Sequence, residues 1–229
     1  MPFAVARANP SPMPVSSEYT PPDTPLDILH EDADLLVVNK PAGLLSVPGK
    51  GEHLADCLIS RLAGAFPQVL LVHRLDRDTS GVMVFALTAH AQRHLGLQFE
   101  KRMTRKTYHA RVAGLVEPRS GTVDLPLCVD WENRPRQKVD HEQGRAALTD
   151  WRVVRHEGDS TRIRLFPKTG RSHQLRVHML SLGHPILGDP LYASGAALNH
   201  DRMMLHAEEL RLKHPDGGRS LSFRVKAPF

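Results

Sequence analysis

The stretch Lys106-Thr107-Tyr108-His109-Ala110-Arg111-Val112 decides the fold class, because its side chains alternate in character. Tyr108, Ala110 and Val112 fall on one phase and Thr107, His109 and Arg111 on the other. That is the period of a strand with one face in a core and the other in water. Ile163 and Leu165 alternate with Arg162 and Arg164 in the same way, as do Leu221, Phe223 and Val225 with Ser222, Arg224 and Lys226. One-sided strands of this kind belong to antiparallel sheets. Upstream, Leu35 to Val38 is a continuous apolar run ended by Asn39-Lys40-Pro41, which suits a strand buried on both faces, and Gly81 to Leu87 reads as another strand. Leu54, Leu58, Leu62 and Phe66 recur every fourth residue and predict a helix ending before Pro67. Thr88 caps a second helix carrying Ala91, Leu95 and Phe99 on one face, and His173 to Leu182 forms a third, stopped by Gly183 and Pro185. The expected class is α+β, with a mostly antiparallel mixed sheet flanked by helices and loops.

The chain has 229 residues, with 30 Lys+Arg against 25 Asp+Glu, a net charge of +5. This excess of positive charge favours polyanionic partners, nucleic acid among them. Aromatic residues are only 5%, which argues against a single-strand binder built on a platform of stacked rings. Two cysteines, Cys57 and Cys128, are too few for a disulfide framework or a four-thiolate zinc site, so a reducing, cytoplasmic location is expected. No apolar run approaches the ~18 residues of a membrane span, so no membrane partner is expected. The first 25 residues hold seven of the 18 prolines and no apolar periodicity. They read as a flexible Pro-rich tail (1–25) ahead of one compact domain (26–229).

Three segments could carry chemistry. His73-Arg74-Leu75-Asp76-Arg77-Asp78-Thr79-Ser80-Gly81 is a polar loop between apolar stretches; turn chemistry alone accounts for its last four residues. A triad of Ser80, His73 and Asp76 lacks the nucleophile elbow that such chemistry uses. Gly170 to His178 offers the guanidinium groups of Arg171 and Arg176 and the imidazoles of His173 and His178 at a helix start. The spacing of His173, His178 and His184 does not suit one metal, and Arg176 suits pairing with a carboxylate from elsewhere. Lys101, Arg102, Arg105 and Lys106, with Arg134, Arg136 and Lys138, form either solvated surface or a phosphate-contacting one. By pattern alone Tyr108 reads as a core tyrosine.

In this order the segments resemble the pseudouridine synthases of the RluA family. The signature H-R-L-D-x-x-T-S-G stands complete as His73 to Gly81, K-x-Y as Lys106 to Tyr108, and G-R-x-H-Q-[IL]-R as Gly170 to Arg176. Two further blocks stand as Asn39 to Pro48 and Gly183 to Tyr192. The resemblance begins near Leu26, and no S4-type RNA-binding domain is expected ahead of it. Leu44 to Gly49 and Val123 to Val139 are similar to the small dual-specificity members, which act on 23S rRNA and tRNA.

The resemblance implies a single catalytic domain that isomerises uridine in RNA, with 23S rRNA and tRNA stem-loops as partners; a monomer is expected. Asp76 aligns with the aspartate that starts glycosidic-bond cleavage, Tyr108 with the tyrosine against the target base, and Arg176 with the basic partner of that aspartate. Arg74 aligns with an arginine that enters the RNA stack. His73, Arg105, Lys106, Arg134, Arg136, Lys138, Arg171 and His173 complete the expected RNA-binding set. Isomerisation conserves atoms, so no cofactor and no metal is expected. Modification of a different single rRNA or tRNA site, or a non-catalytic RNA-binding module, remain open as alternatives at this point.

Overall fold

A computed structural model describes residues 19–229. The chain runs β1 (Asp27–Glu31), β2 (Leu35–Lys40), α1 (Leu58–Ala65), β3 (Leu70–Leu71), β4 (Ser80–Ala86), α2 (Ala89–Glu100) and β5 (Arg105–Ala113). It continues through β6 (Ser120–Asp124), β7 (Leu127–Val129), β8 (Gln137–Val139), β9 (Leu148–Glu157), β10 (Ser160–Pro167), α3 (Gln174–Ser181), β11 (Leu205–Lys213) and β12 (Ser220–Arg224). Ten strands form one mixed sheet in the order β1-β2-β4-β11-β5-β10-β9-β6, with β3 on β4 and β12 on β11, while β7 and β8 form a separate hairpin. Among the described strands only β4–β11 is a parallel pair.

The two kinds of apolar pattern correspond to two halves of this sheet. Around β2 and β4 both faces are covered: Leu36, Val38, Met83 and Phe85 pack on Leu58 and Leu62 of α1, and Leu35, Val37, Val82 and Val84 on Ala91 and Leu95 of α2. A strand between two helices has no solvated side, so its apolar run is unbroken. Around β5, β9 and β10 only one face is covered, where Ala110, Val112, Val153, Ile163 and Leu165 meet Leu175 and Met179 of α3. The other face carries arginines: Arg111, Arg155 and Arg162 converge on Glu157, and Arg164 and Arg224 on Glu208.

Three expectations change in detail. The helix predicted from Leu54 begins at Leu58, because Ser60 Oγ accepts the Cys57 N–H at 3.0 Å and closes the cap there; Leu54 belongs to a separate turn of 3-10 helix, Glu52–Leu54. The third helix starts at Gln174, because His173 takes a left-handed φ of 53°. Most of the tail expected over 1–25 lies outside the described residues, but its last part is packed on the domain. The Tyr19 hydroxyl accepts the Leu45 N–H and donates to the Asp56 carbonyl, and Arg61 donates to Pro22 O. Composition hid this because a single tyrosine and a backbone carbonyl supply the contacts. Thr88 caps α2 as expected, accepting the Ala91 N–H at 3.1 Å.

Candidate active site

The loop between β3 and β4 bears Asp76 and is held from both sides. Lys40 has no exposed surface, and its ammonium donates to the carbonyls of Pro41, Leu44 and Arg77 at 2.6–2.8 Å. Burial pulls its pKa down to about 7, against the pull of Asp78 and Asp76. Lys40 therefore ties the end of β2 to the residue after Asp76. On the far side the loop runs into Gly81, whose φ is +117° and where a Cβ would stand 2.3 Å from the Ala207 carbonyl oxygen. Only glycine lets β4 start this close to β11.

Arg176 comes from α3, 100 residues further along the chain. Its Nη1 donates to Asp76 Oδ2 at 3.2 Å, while its Nε and Nη2 make a two-pronged pair with Asp189 at 2.7 Å each. Asp189 is fully buried and also accepts the N–H groups of Leu191 and Tyr192. Burial works against the charge on Arg176, but the Asp189 hydrogen bonds, with Asp189 and Asp76 as counter-charges, push its pKa above the ordinary arginine value.

These groups open into a cavity of about 560 Å³ lined by His73, Arg74, Asp76, Lys106, Tyr108, Arg171, His173 and Arg176, with Arg102 and Arg145 adding to its positive charge. Tyr108 packs against the cores of both half-sheets, and burial, with Asp76 adding, raises its hydroxyl pKa well above ordinary. It enters the site as a neutral phenol. Burial lowers the Lys106 pKa, with Arg102 adding. His73 accepts the Val84 N–H at 3.1 Å, stacks on Phe99 at 4.6 Å, and is pushed down to about 3 by burial and by Lys106. Ser80 pairs with His206 at 2.8 Å and not with His73.

Eight of the twelve expected site residues thus share one cavity. Arg105 does not: it points to the opposite face of the sheet, into a basic groove of about 950 Å³ with Arg152, Arg164, Arg211 and Arg224. Lys106 borders both the cavity and this groove, whereas Arg105, one residue earlier on the strand, borders the groove alone. Arg134, Arg136 and Lys138 are not continuous with Arg105 either; they lie on the β7–β8 hairpin. That hairpin is tied to the cavity through Tyr192, whose hydroxyl accepts the Gln137 N–H at 2.7 Å and pairs with His173 at 2.8 Å. The ring of Tyr192 lies 5.0 Å from the Arg176 guanidinium and 5.2 Å from that of Arg136. Asp189, Tyr192 and Lys40 were not singled out from sequence, although each stands inside one of the matched blocks.

Residues 34–181 match the family model described as RNA pseudouridylate synthase. The dual-specificity RNA pseudouridine synthase RluA of Salmonella typhi is 54% identical over 92% of this chain and 98% of its own length. The Escherichia coli K12 protein of that name is 53% identical over the same shares. Among solved structures, human RNA pseudouridylate synthase domain containing 1 superposes with a TM-score of 0.76 at 32% identity, over 92% of this chain and 87% of that one. Human RNA pseudouridylate synthase domain containing 4 gives 0.71 at 27% identity, over 88% of each. A complete signature loop, an arginine reaching its aspartate, and these likenesses agree: the chain belongs to the RNA pseudouridylate synthases, in their RluA branch, and is an RNA-modifying isomerase.

Proposed function

We propose that this enzyme converts uridine to pseudouridine in 23S rRNA and in the tRNA anticodon stem-loop, with Asp76 starting the reaction. It works as a monomer in the cytoplasm, from a domain that begins within residues 19–26. In support, the two RluA relatives described above bear a dual-specificity name and match over 92% of this chain and 98% of their own length.

The reaction breaks N1–C1′, turns the uracil and joins C5 to C1′; the C5 proton leaves and N1 gains one. The base must first leave its stack, which costs a few kcal/mol and costs least in a hairpin loop. Arg74, solvent-exposed at the cavity mouth, fills the vacated place in the stack. Tyr108 walls the cavity that receives the base, and Lys106, Arg171 and His173 meet the adjoining backbone. Asp76 acts at the ribose, adding to C1′ or taking the C2′ proton, while Arg176 holds its carboxylate in line.

The observation that carries this reading is the 3.2 Å contact between Arg176 Nη1 and Asp76 Oδ2 inside a basic cavity. Tritium release from RNA labelled at C5 of uridine tests it, on a tRNA transcript and a 23S hairpin fragment. Wild type should release tritium from both. Asp76→Ala should fold, bind RNA and release none; turnover above trace in that variant would remove Asp76 from the chemistry.

A further inference from the structure

Two tryptophans occur in the chain, and they sit in opposite surroundings. Trp151 is 6% exposed in the core, whereas Trp131 is 67% exposed, the most exposed of the large apolar side chains described. Trp131 stands at the turn between β7 and β8, and that turn is rigidly built. Asp130 N–H donates to Arg136 O at 3.0 Å, Arg136 N–H to Asn133 O at 3.0 Å, and Asn133 Nδ2 to Asp130 Oδ2 at 3.0 Å. The guanidinium of Arg134 lies 3.7 Å over the indole ring. An exposed indole costs free energy in water, and here the backbone hydrogen bonds hold it out.

We propose that Trp131 and Arg134 form a stacking site for an unpaired base of the substrate RNA, one that flanks the uridine being isomerised. This rests on the reading of the cavity as an RNA isomerase site. A flat π-face with a guanidinium over it is the kind of surface on which unstacked bases pack. Being 67% exposed, the indole suits a base of any identity held by its face, not by its edges. The position is set by the hairpin's root, where Gln137 bonds Tyr192 and Tyr192 borders Arg176. A base stacked at the tip is therefore held at a fixed offset from Asp76. The hairpin acts as a gauge for loops whose unpaired bases lie at the right spacing.

Two tryptophans in opposite surroundings make the test direct. Titrating wild-type protein with a tRNA anticodon stem-loop should quench Trp131 fluorescence and shield it from acrylamide, while Trp151 stays unreactive to acrylamide throughout. Trp131→Ala should raise KM for tritium release roughly tenfold or more with kcat at saturating RNA nearly kept, and Trp131→Phe should recover most of the loss. Wild-type affinity for the stem-loop in Trp131→Ala, or an emission unchanged by saturating RNA, overturns the stacking site and leaves the tip to a protein partner. Failure of wild type to release tritium would count against the isomerase reading instead; the quenching and affinity measurements judge the stacking site without turnover.

Discussion

Arg176 holds Asp189 with two 2.7 Å bonds and reaches Asp76 with a single bond of 3.2 Å. The stronger partnership is with the carboxylate that faces no cavity. Asp189 fixes the plane of the guanidinium, and the remaining Nη1 is what the catalytic loop meets. Arg176 is thereby aimed before Asp76 is considered, as preorganised electrostatics requires.

Removing either member of that pair should therefore cost stability as well as turnover. Arg176→Ala strips Asp189, which has no exposed surface, of its paired guanidinium, a loss of roughly 3–5 kcal/mol. Asp189→Asn keeps the shape but gives up one prong of the pair. It should melt at lower temperature than wild type and lose most of kcat while binding RNA normally. Thermal melts and single-turnover tritium release measure both; a variant with wild-type kcat would show that Arg176 needs no second anchor.

Tyr108→Phe should keep part of its activity, far above Asp76→Ala. The hydroxyl is held neutral by burial, and the ring that borders both cores remains. Complete loss in a single-turnover assay would instead assign the hydroxyl to removal of the C5 proton.

Stability should fall as pH drops below ~6.5, the ordinary histidine value. Burial holds His206 down to about 4 and His73 to about 3, so both stay neutral in the folded state while the unfolded chain takes up protons. Each ring costs up to ~1.4 kcal/mol per pH unit in that window, and His206 stops contributing below about 4. Above ~6.5 both forms are neutral and these two rings add no slope. Urea midpoints at pH 7, 6 and 5 should show the fall, and His206→Gln should reduce its slope by about one proton.

Gly81→Ala should cripple folding. A methyl group there meets the Ala207 carbonyl at 2.3 Å, on a backbone with φ +117°. The strain and the broken β4–β11 approach together cost at least ~2–3 kcal/mol. Near-wild-type melting would mean that β4 can start further from β11.

Much of this was legible in the alternation of Tyr108, Ala110 and Val112 and in the run Leu35 to Val38, because burial on one face or two writes itself into the pattern. The Asp76 loop was legible as nine consecutive letters. That Arg105 falls outside the cavity while Lys106 borders it was not legible, because a cluster of cations hides which site each one reaches. Asp189 was not visible: a buried carboxylate after a glycine looks like a turn, and only its distance from Arg176 tells otherwise. The docking of Tyr19 went unseen for a related reason, since a hydroxyl bridging Leu45 and Asp56 leaves no periodic trace.

The sheet order β2-β4-β11-β5 places a strand made late in synthesis between two made early. A ribosome delivers Asp76 first, Arg176 after a further 100 residues, and β11 only from Leu205 onward. Until β11 arrives, the half-sheet carrying Asp76 and the half carrying Arg176 have no strand to join them. A chain cut before Leu205 would therefore hold Asp76 and Arg176 on two half-sheets with no common strand, and the catalytic pair would have nothing to close it.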